Sequence, residues 1–401
     1  MGQPVRKTIQ EVYSNLIKED PFRTLLIDGN SLLFMCFKDT KVNTDGVLIG
    51  PLFQFLLQIR MILTKGDFKY VYVTFDDEYS GVLRYNLYKP YKGNRDKNYA
   101  DYGVSEYMKQ YNENLRRMQN YIFNKNKKNG ESVSTVKEYK SEYDKLVDEN
   151  FDRIRDILCQ MFNELYIRWY IDEVTEGDDL IAYYCLHKKE NEKIIIVSGD
   201  MDLTQLLADD ISIYNLHEKK FITPNNFKET FGYYYENVLV KKIFLGDTSD
   251  NISNISLLSE TKLYEIMPEF LTKKVTVDQV KERVKGLIDE RVKNKKKPLK
   301  LHTNIIEGVA NKEYDGDFYE INKKIIDLKH PLMSDEAIEE IDNMMYTPQD
   351  PTDRSYQNLY KLIVDNKIED LMGDTNFASF FSPFKKIEEN EKKLYNDSIN
   401  S

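Results

Sequence analysis

The chain is poor in the residues that build redox and zinc sites: three cysteines and four histidines in 401 residues, with a single tryptophan. Cys36, Cys159 and Cys185 follow no metal or redox spacing, so each is expected to be a small buried hydrophobe in a reducing compartment. His187, His217, His302 and His330 are equally scattered, which argues against zinc chemistry. No run of about 18 uncharged apolar residues occurs, so no membrane-spanning helix is expected. The first 20 residues, MGQPVRKTIQEVYSNLIKED, lack a signal-peptide core. They read as a short amphipathic helix with Ile9, Val12, Leu16 and Ile17 on one side, and a cytoplasmic monomer is the expectation. Positive charge is also in deficit, 57 Lys and Arg against 67 Asp and Glu, for a net charge of −10. Taken whole, that opposes a nucleic-acid partner. The test is a poor one if the acids are concentrated in a metal site and the bases lie elsewhere.

Several segments alternate between strand and helix patterns. TLLID at 24–28, KYVYVTF at 69–75, YIRWYI at 166–171, KIIIVS at 193–198 and ISIYN at 211–215 read as strands. Helical spacing appears from about Leu48 to Leu63, over 151–165, and from Gly177. This pattern predicts an α/β fold with a mainly parallel central sheet flanked by helices. Thr223-Pro224 starts a helix, and beyond about residue 240 helical signals dominate, including Ser334 capping DEAIEEIDNMM and helices near 357–371 and 384–395. The expected division is an α/β domain over 1–240 and a mostly helical domain over 241–401, with the last residues, NDSINS, frayed. Two polar segments, 96–150 and 281–300, suggest no core element; the second carries nine bases against three acids.

The strand ends carry the chemistry. Asp28 ends the first strand and Asp76 the second; Glu176, Asp178 and Asp179 follow the third; Asp200 and Asp202 follow the fourth; Asp247 and Asp250 follow a helix. One Asp after a strand is more often a helix cap or turn residue than a ligand. Five such sites in succession within one parallel pattern place the acids together beyond the carboxyl ends of the strands. So many carboxylates repel one another unless a cation is present, and oxygen donors without His or Cys suit Mg²⁺, with Mn²⁺ as a substitute. Two such ions about 4 Å apart suit phosphodiester hydrolysis. Haloacid-dehalogenase-type phosphatases also end their first strand in Asp, but they need a second Asp two residues on, where this chain has Asn30.

After Asp76 comes GVLRYNLYKPYKGNRDK, with Arg84, Lys89, Lys92, Arg95 and Lys97 interleaved with Tyr85, Tyr88 and Tyr91. Such bases can hold a phosphate that the acids repel, and the aromatics can stack on an unpaired base. The ordered series LLIDGNSLLF, VTFD, R…YKGNR, EGDDLIA, VSGDMDLTQLL and GDTSDNI, over residues 24–255, resembles the flap endonuclease / 5′→3′ exonuclease superfamily. The helical extension before LLIDGN and the C-terminal IIDLKHPLMSDEAIEEI resemble, within that superfamily, the RNase H-type 5′-nuclease of tailed phages.

The resemblance implies two Mg²⁺ ions, the first held by Asp28, Asp76, Glu176 and Asp178, the second by Asp179, Asp200, Asp202, Asp247 and Asp250 directly or through water. It makes Lys92 and Arg95 the pair that contacts the scissile phosphate, Tyr91 a stacking residue, and 96–150 an arch over a 5′ single strand. It implies branched or flapped DNA and RNA–DNA hybrid as substrates, cut as in primer removal during replication or repair. A single-stranded-DNA-binding protein and a sliding clamp are the implied partners. A non-catalytic nucleic-acid scaffold on the same fold is the alternative. One departure stands out: the superfamily's glycine-rich hairpin is replaced by NISNISLLS, with Asn254, Leu257 and Ser259 at glycine positions. The loop is then expected to lack the backbone geometry that holds a monovalent cation. Lys293, Lys295, Lys296 and Lys297 become the candidates for gripping the duplex.

Overall fold

The computed structural model describes residues 21–94, 142–312, 314–372 and 376–400. The expected helix over 1–20, Arg95, and the arch-like segment as far as residue 141 lie outside these residues. Strands β1 (Phe22–Asp28), β2 (Tyr70–Asp76), β3 (Arg168–Asp172), β4 (Glu192–Ser198), β5 (Ile211–Asn215) and β6 (Lys220–Ile222) form one sheet in the order β3-β2-β1-β4-β5-β6. All pairings are parallel except β5 with β6. The central strands read as continuous apolar runs because both faces are covered. β1 pairs with β2 on one side and β4 on the other, which makes the β1/β4 boundary the point where the strand order reverses.

One face is packed by α1 (Gly29–Cys36), α2 (Gly50–Lys65) and α4 (Glu142–Glu164), with Leu32, Phe55, Ile59, Leu158 and Phe162 in its core. Between β2 and α4 lies the short α3 (Val82–Leu87). The other face is packed by α5 (Gly177–His187) through Leu180, Ile181 and Tyr184. After α6 (Pro224–Phe231) and α7 (Val238–Leu245), a separate cluster forms around Phe244, Leu263, Phe270, Val280, Val284 and Ile305. It is built with α8 (Glu260–Ile266), α9 (Val277–Lys293), α10 (Lys300–Glu307) and α11 (Phe318–Ile326). The chain then returns to the sheet. α12 (Asp335–Tyr346) adds Ala337, Ile341 and Met345 to one face, while Leu359, Ile363, Phe381 and Ile387 join the other.

Four local expectations need correction. α4 begins at Glu142, inside the segment read as polar, and buries Val147 there. α9 occupies part of the basic run: Thr276 and Gln279 form its capping box, and Val280 and Val284 anchor it to the core. Val280 and Val284, with the partly buried Val277, Leu287 and Ile288 beside them, dock a helix whose remaining positions are largely charged. β6 was not expected, since three residues are too few to show a period of two. The C-terminal helix runs on through the supposedly frayed tail to Ile399.

Candidate active site

The strand ends converge on one cleft of about 610 Å³ at the carboxyl edge of the sheet. Asp28, Asp76, Glu176, Asp178, Asp200, Asp202, Asp247 and Asp250 all line it. Each is placed by local structure. Asp28 ends β1 and caps α1, with Oδ1 accepting from the Ser31 amide (2.9 Å) and Oδ2 from the Ser198 hydroxyl (2.6 Å). It is therefore a cap and a cleft residue at once. Asp76 ends β2 and accepts from the Gly177 amide (2.7 Å), which ties β2 to the first turn of α5. The turn after β4 is held by the Asp200 amide donating to Ser198 Oγ (2.8 Å) and the Asp202 amide donating to Asp200 Oδ1 (2.7 Å). A Cβ at Gly199 would lie 2.5 Å from the ring of the exposed His217, which would have to move aside.

Asp179 does not line the cleft. It is fully buried and ion-paired with Arg84, and it also accepts from the Leu332 amide (3.0 Å). Neighbouring residues in a helix point about 100° apart, so Asp178 faces the cleft while Asp179 turns inward. Arg84 is correspondingly a brace: besides Asp179 it pairs with Glu176 (2.8 Å) and donates to the Ile325 carbonyl (2.8 Å). Tyr91 is also buried. Its hydroxyl points at Glu176 (2.9 Å) with Asp250 at 3.4 Å, its ring belongs to the cluster of Val82, Ile252 and Ile326, and it lines the cleft beside the acids. Lys92, held at a φ of 50°, reaches Glu176 with its ammonium, and its amide donates to the Asp250 carbonyl (2.9 Å). Lys293 ends α9, and Lys295, Lys296 and Lys297 follow it on an exposed turn away from the cleft.

The acids differ sharply in charge environment. Burial pushes Glu176 up, but the charges of Lys92 and Arg84 and the hydrogen bonds from Lys92 and Tyr91 outweigh it and hold the carboxyl at about 2. Burial raises Asp28 to about 7 despite its two hydrogen bonds, with Asp200 and Asp76 adding repulsion. Burial, then repulsion from Asp200, Asp28 and Asp76, drives Asp178 well above the usual carboxylate range. Asp202 rises to about 6, mainly by burial, with Lys242 opposing. Acids driven upward in this way are cation-seeking. Among the described residues no three of them close on one point as a ready-made metal cage. Mg²⁺ keeps several waters and needs few direct carboxylates, so an open, oxygen-only donor set of this kind fits it.

Residues 23–232 match the model of the 5′-3′ exonuclease N-terminal, resolvase-like domain. The chain belongs to this family. Among curated relatives, it is 28% identical over 175 residues to a 5′-3′ exonuclease of Buchnera aphidicola subsp. Schizaphis graminum, covering 43% of this chain and 60% of that protein. It is 23% identical over 285 residues to DNA polymerase I of Bacillus subtilis, covering 69% of this chain and 26% of the polymerase. The alignments thus span less than two thirds of either relative. The bacteriophage T5 D15 flap endonuclease, solved as a pseudo-enzyme-product complex with DNA and metal ions, superposes with a TM-score of 0.52 at 17% identity. That superposition covers 86% of this chain and 98% of the phage protein, so the two share a fold.

Within this family fold, sequence reasoning missed Lys242. It stands on α7, and its ammonium bonds Asp202 and Asp247 (2.6 Å to the latter). The available signal was its position five residues before Asp247. Lys241 beside it is indistinguishable in sequence, yet that residue pairs with Glu260 instead (2.7 Å). The hairpin also departs from expectation. Leu257 adopts a φ of 69° in place of a glycine, so this position keeps glycine-like backbone at the cost of strain. Ser259, in extended backbone, caps α8, and Asn254 donates to the Leu258 carbonyl (3.2 Å).

Proposed function

We propose that this chain is a Mg²⁺-dependent, structure-specific 5′-nuclease, acting as a 5′→3′ exonuclease and flap endonuclease by a two-metal mechanism. The observation that carries the reading is the convergence of eight carboxylates from separate segments on one cleft, beside the Lys92 and Lys242 ammonium groups. Asp28, Asp76 and Asp178 would hold one cation together with Asp200, which the resemblance assigned to the second ion but which stands near enough to Asp28 and Asp178 to repel both. Glu176, engaged by Arg84 and Lys92, is left out of that set, and Asp202, Asp247 and Asp250 would take part in holding the other cation. Bound there, the cations supply an activated water and charge neutralisation at the phosphate. The chain's own residues do the positioning. Arg84 and Tyr91 fix the Glu176 carboxylate, Asp28 is aimed by Ser31 and Ser198, and Lys92, lining the cleft beside Glu176, supplies positive charge for the scissile phosphate.

Within the same proposal the substrates are branched or flapped DNA and RNA–DNA hybrid, as in primer removal during replication or repair. The product carries a 5′-phosphate. The working partners are a single-stranded-DNA-binding protein and a sliding clamp, and the setting is the cytoplasm of the cell or of a phage's host. Among the described residues no helix is long and apolar enough to cross a membrane. The test is a cleavage panel on 5′-flap, nicked and RNA–DNA substrates, with Mg²⁺, with Mn²⁺ and with chelator. Release of 5′-phosphate products only with a divalent cation is expected. Tight substrate binding with no cleavage under any of these conditions would overturn the proposal.

A further inference from the structure

Six of the eight cleft acids form two halves with different resident charge. Asp28, Asp76, Asp178 and Asp200 make no ion pair with a basic side chain among the described residues; Asp28, Asp76 and Asp200 are held by amides and one hydroxyl. The other half already holds a cation. Lys242 reaches from α7 to Asp202 Oδ1 and to Asp247 Oδ2 (2.6 Å). The remaining oxygen of Asp247 is committed to the turn that follows, accepting from the Ser249 amide (2.8 Å) and hydroxyl (2.5 Å). The lysine side chain is only 20% exposed, and the acids it joins are 25% and 15% exposed, so water screens the contact weakly.

We infer that Lys242 is the built-in counter-ion of the Asp202–Asp247 half of the cleft, which a divalent cation must displace in order to bind there. The inference rests on the metal-nuclease reading above. A cation entering the first half meets unpaired charge and relieves repulsion. One entering the second half must break two charge-assisted hydrogen bonds and face an ammonium tethered by a four-carbon stem. The two halves therefore differ in affinity, although both are oxygen-only. Glu176, held by Lys92 and Arg84, stands apart from this exchange, because neither of those bases reaches Asp202 or Asp247.

The test is a titration of the protein with Mn²⁺ alone, with free Mn²⁺ followed by electron paramagnetic resonance. Wild type should show one tight and one much weaker ion. Removing a unit positive charge this close should tighten the weaker ion by about tenfold or more. Lys242→Met, and Lys242→Gln, which keeps hydrogen-bond donors, should both show that gain. Lys242→Arg, which keeps the charge, should not. Adding Asp247→Asn to Lys242→Gln should abolish the gain, locating the ion. An unchanged or weakened second ion in the neutral variants, with the tight ion intact, overturns the inference. Two equally tight ions in wild type do so too, and loss of both ions in both neutral variants would make Lys242 only a brace. A wild-type protein that binds no Mn²⁺ at all defeats the nuclease reading instead, so the two failures are distinguishable.

Discussion

The two edges of the sheet handle buried acids in opposite ways. At the amino edge, Glu192 is fully buried and accepts from Thr24, Tyr184 (2.8 Å), Tyr346 (2.5 Å) and the Lys189 amide (3.1 Å). Glu391, equally buried, forms a two-pronged pair with Arg168 at 2.7 and 2.8 Å. Every acid there meets donors placed for it. At the carboxyl edge the bases paired with cleft acids among the described residues are Arg84, Lys92 and Lys242, for eight acids, and Asp28 and Asp178 are driven upward by burial and by repulsion from neighbouring acids. The same residue types thus serve stability where donors match acids, and are poised for an external cation where acids exceed donors.

Breaking the matched edge should have the largest effect on stability. Arg168→Met leaves Glu391 charged and unpaired in the core, and should cost about 3–5 kcal/mol in urea denaturation. A loss below about 1 kcal/mol would show that the pair is dispensable. Breaking the unmatched edge should do the reverse. Asp200→Asn keeps the acceptor for the Asp202 amide and lowers the repulsion on Asp28 and Asp178, so metal-free stability should hold or rise. Cleavage should fall by about 100-fold or more. Near-normal turnover would remove Asp200 from the site.

The comparison predicts a pH dependence with a definite sign. Asp28 and Asp202 have folded values of about 7 and 6, above their ordinary 3.8, so folding binds protons. Without metal, their contribution is favourable below about pH 4 and is lost as the pH rises through 6 to 7. Glu176, held at about 2, has the opposite window: its contribution is present above its ordinary 4.5 and lost as the pH falls through 2. Thermal unfolding in chelator should therefore show a falling midpoint between pH 4 and 7, and saturating Mg²⁺ should flatten that fall. A midpoint indifferent to Mg²⁺ at pH 7 would contradict a cation-seeking cleft.

Smaller effects belong to the periphery. Replacing Lys293, Lys295, Lys296 and Lys297 by Ala should weaken binding to duplex-containing substrates and flatten its salt dependence, with saturated turnover little changed. An unchanged salt slope would take this turn out of the interface. Smallest of all, Leu257→Gly relieves a left-handed leucine and should stabilise by at most about 1 kcal/mol, since glycine's greater freedom in the unfolded chain offsets part of the relief. A destabilised variant would mean that the half-exposed leucine side chain makes a contact worth more than the strain.

How much of this was legible depended on whether a residue's direction follows from its own element. An Asp at the end of a parallel strand has its place set by the sheet, so Asp28 and Asp76 could be read without a structure, as could Asp200 one turn beyond β4. Asp178 and Asp179 could not be told apart, because which of two adjacent residues faces the cleft depends on how α5 is rotated about its axis. Arg84 and Tyr91 were read as nucleic-acid contacts from composition. Composition cannot reveal that Glu176 and Asp179, nearly 100 residues away, take up their polar groups. The capping box at Thr276 was within reach of the sequence, but the charge of the run that follows concealed it.

Alternating apolar runs and strand-end acids by themselves determined the parallel sheet and the edge of it that bears the cleft, since period and chain direction are local properties written in residue order. Only the tertiary structure decided the distribution of charge among those acids. Lys242 rather than Lys241 meets Asp202 and Asp247, Arg84 is spent on bracing, and the helices after residue 328 return to seal both faces of the sheet. Burial and pairing depend on which distant segments arrive, and they decide whether a given carboxylate is held by a donor or left to seek a cation.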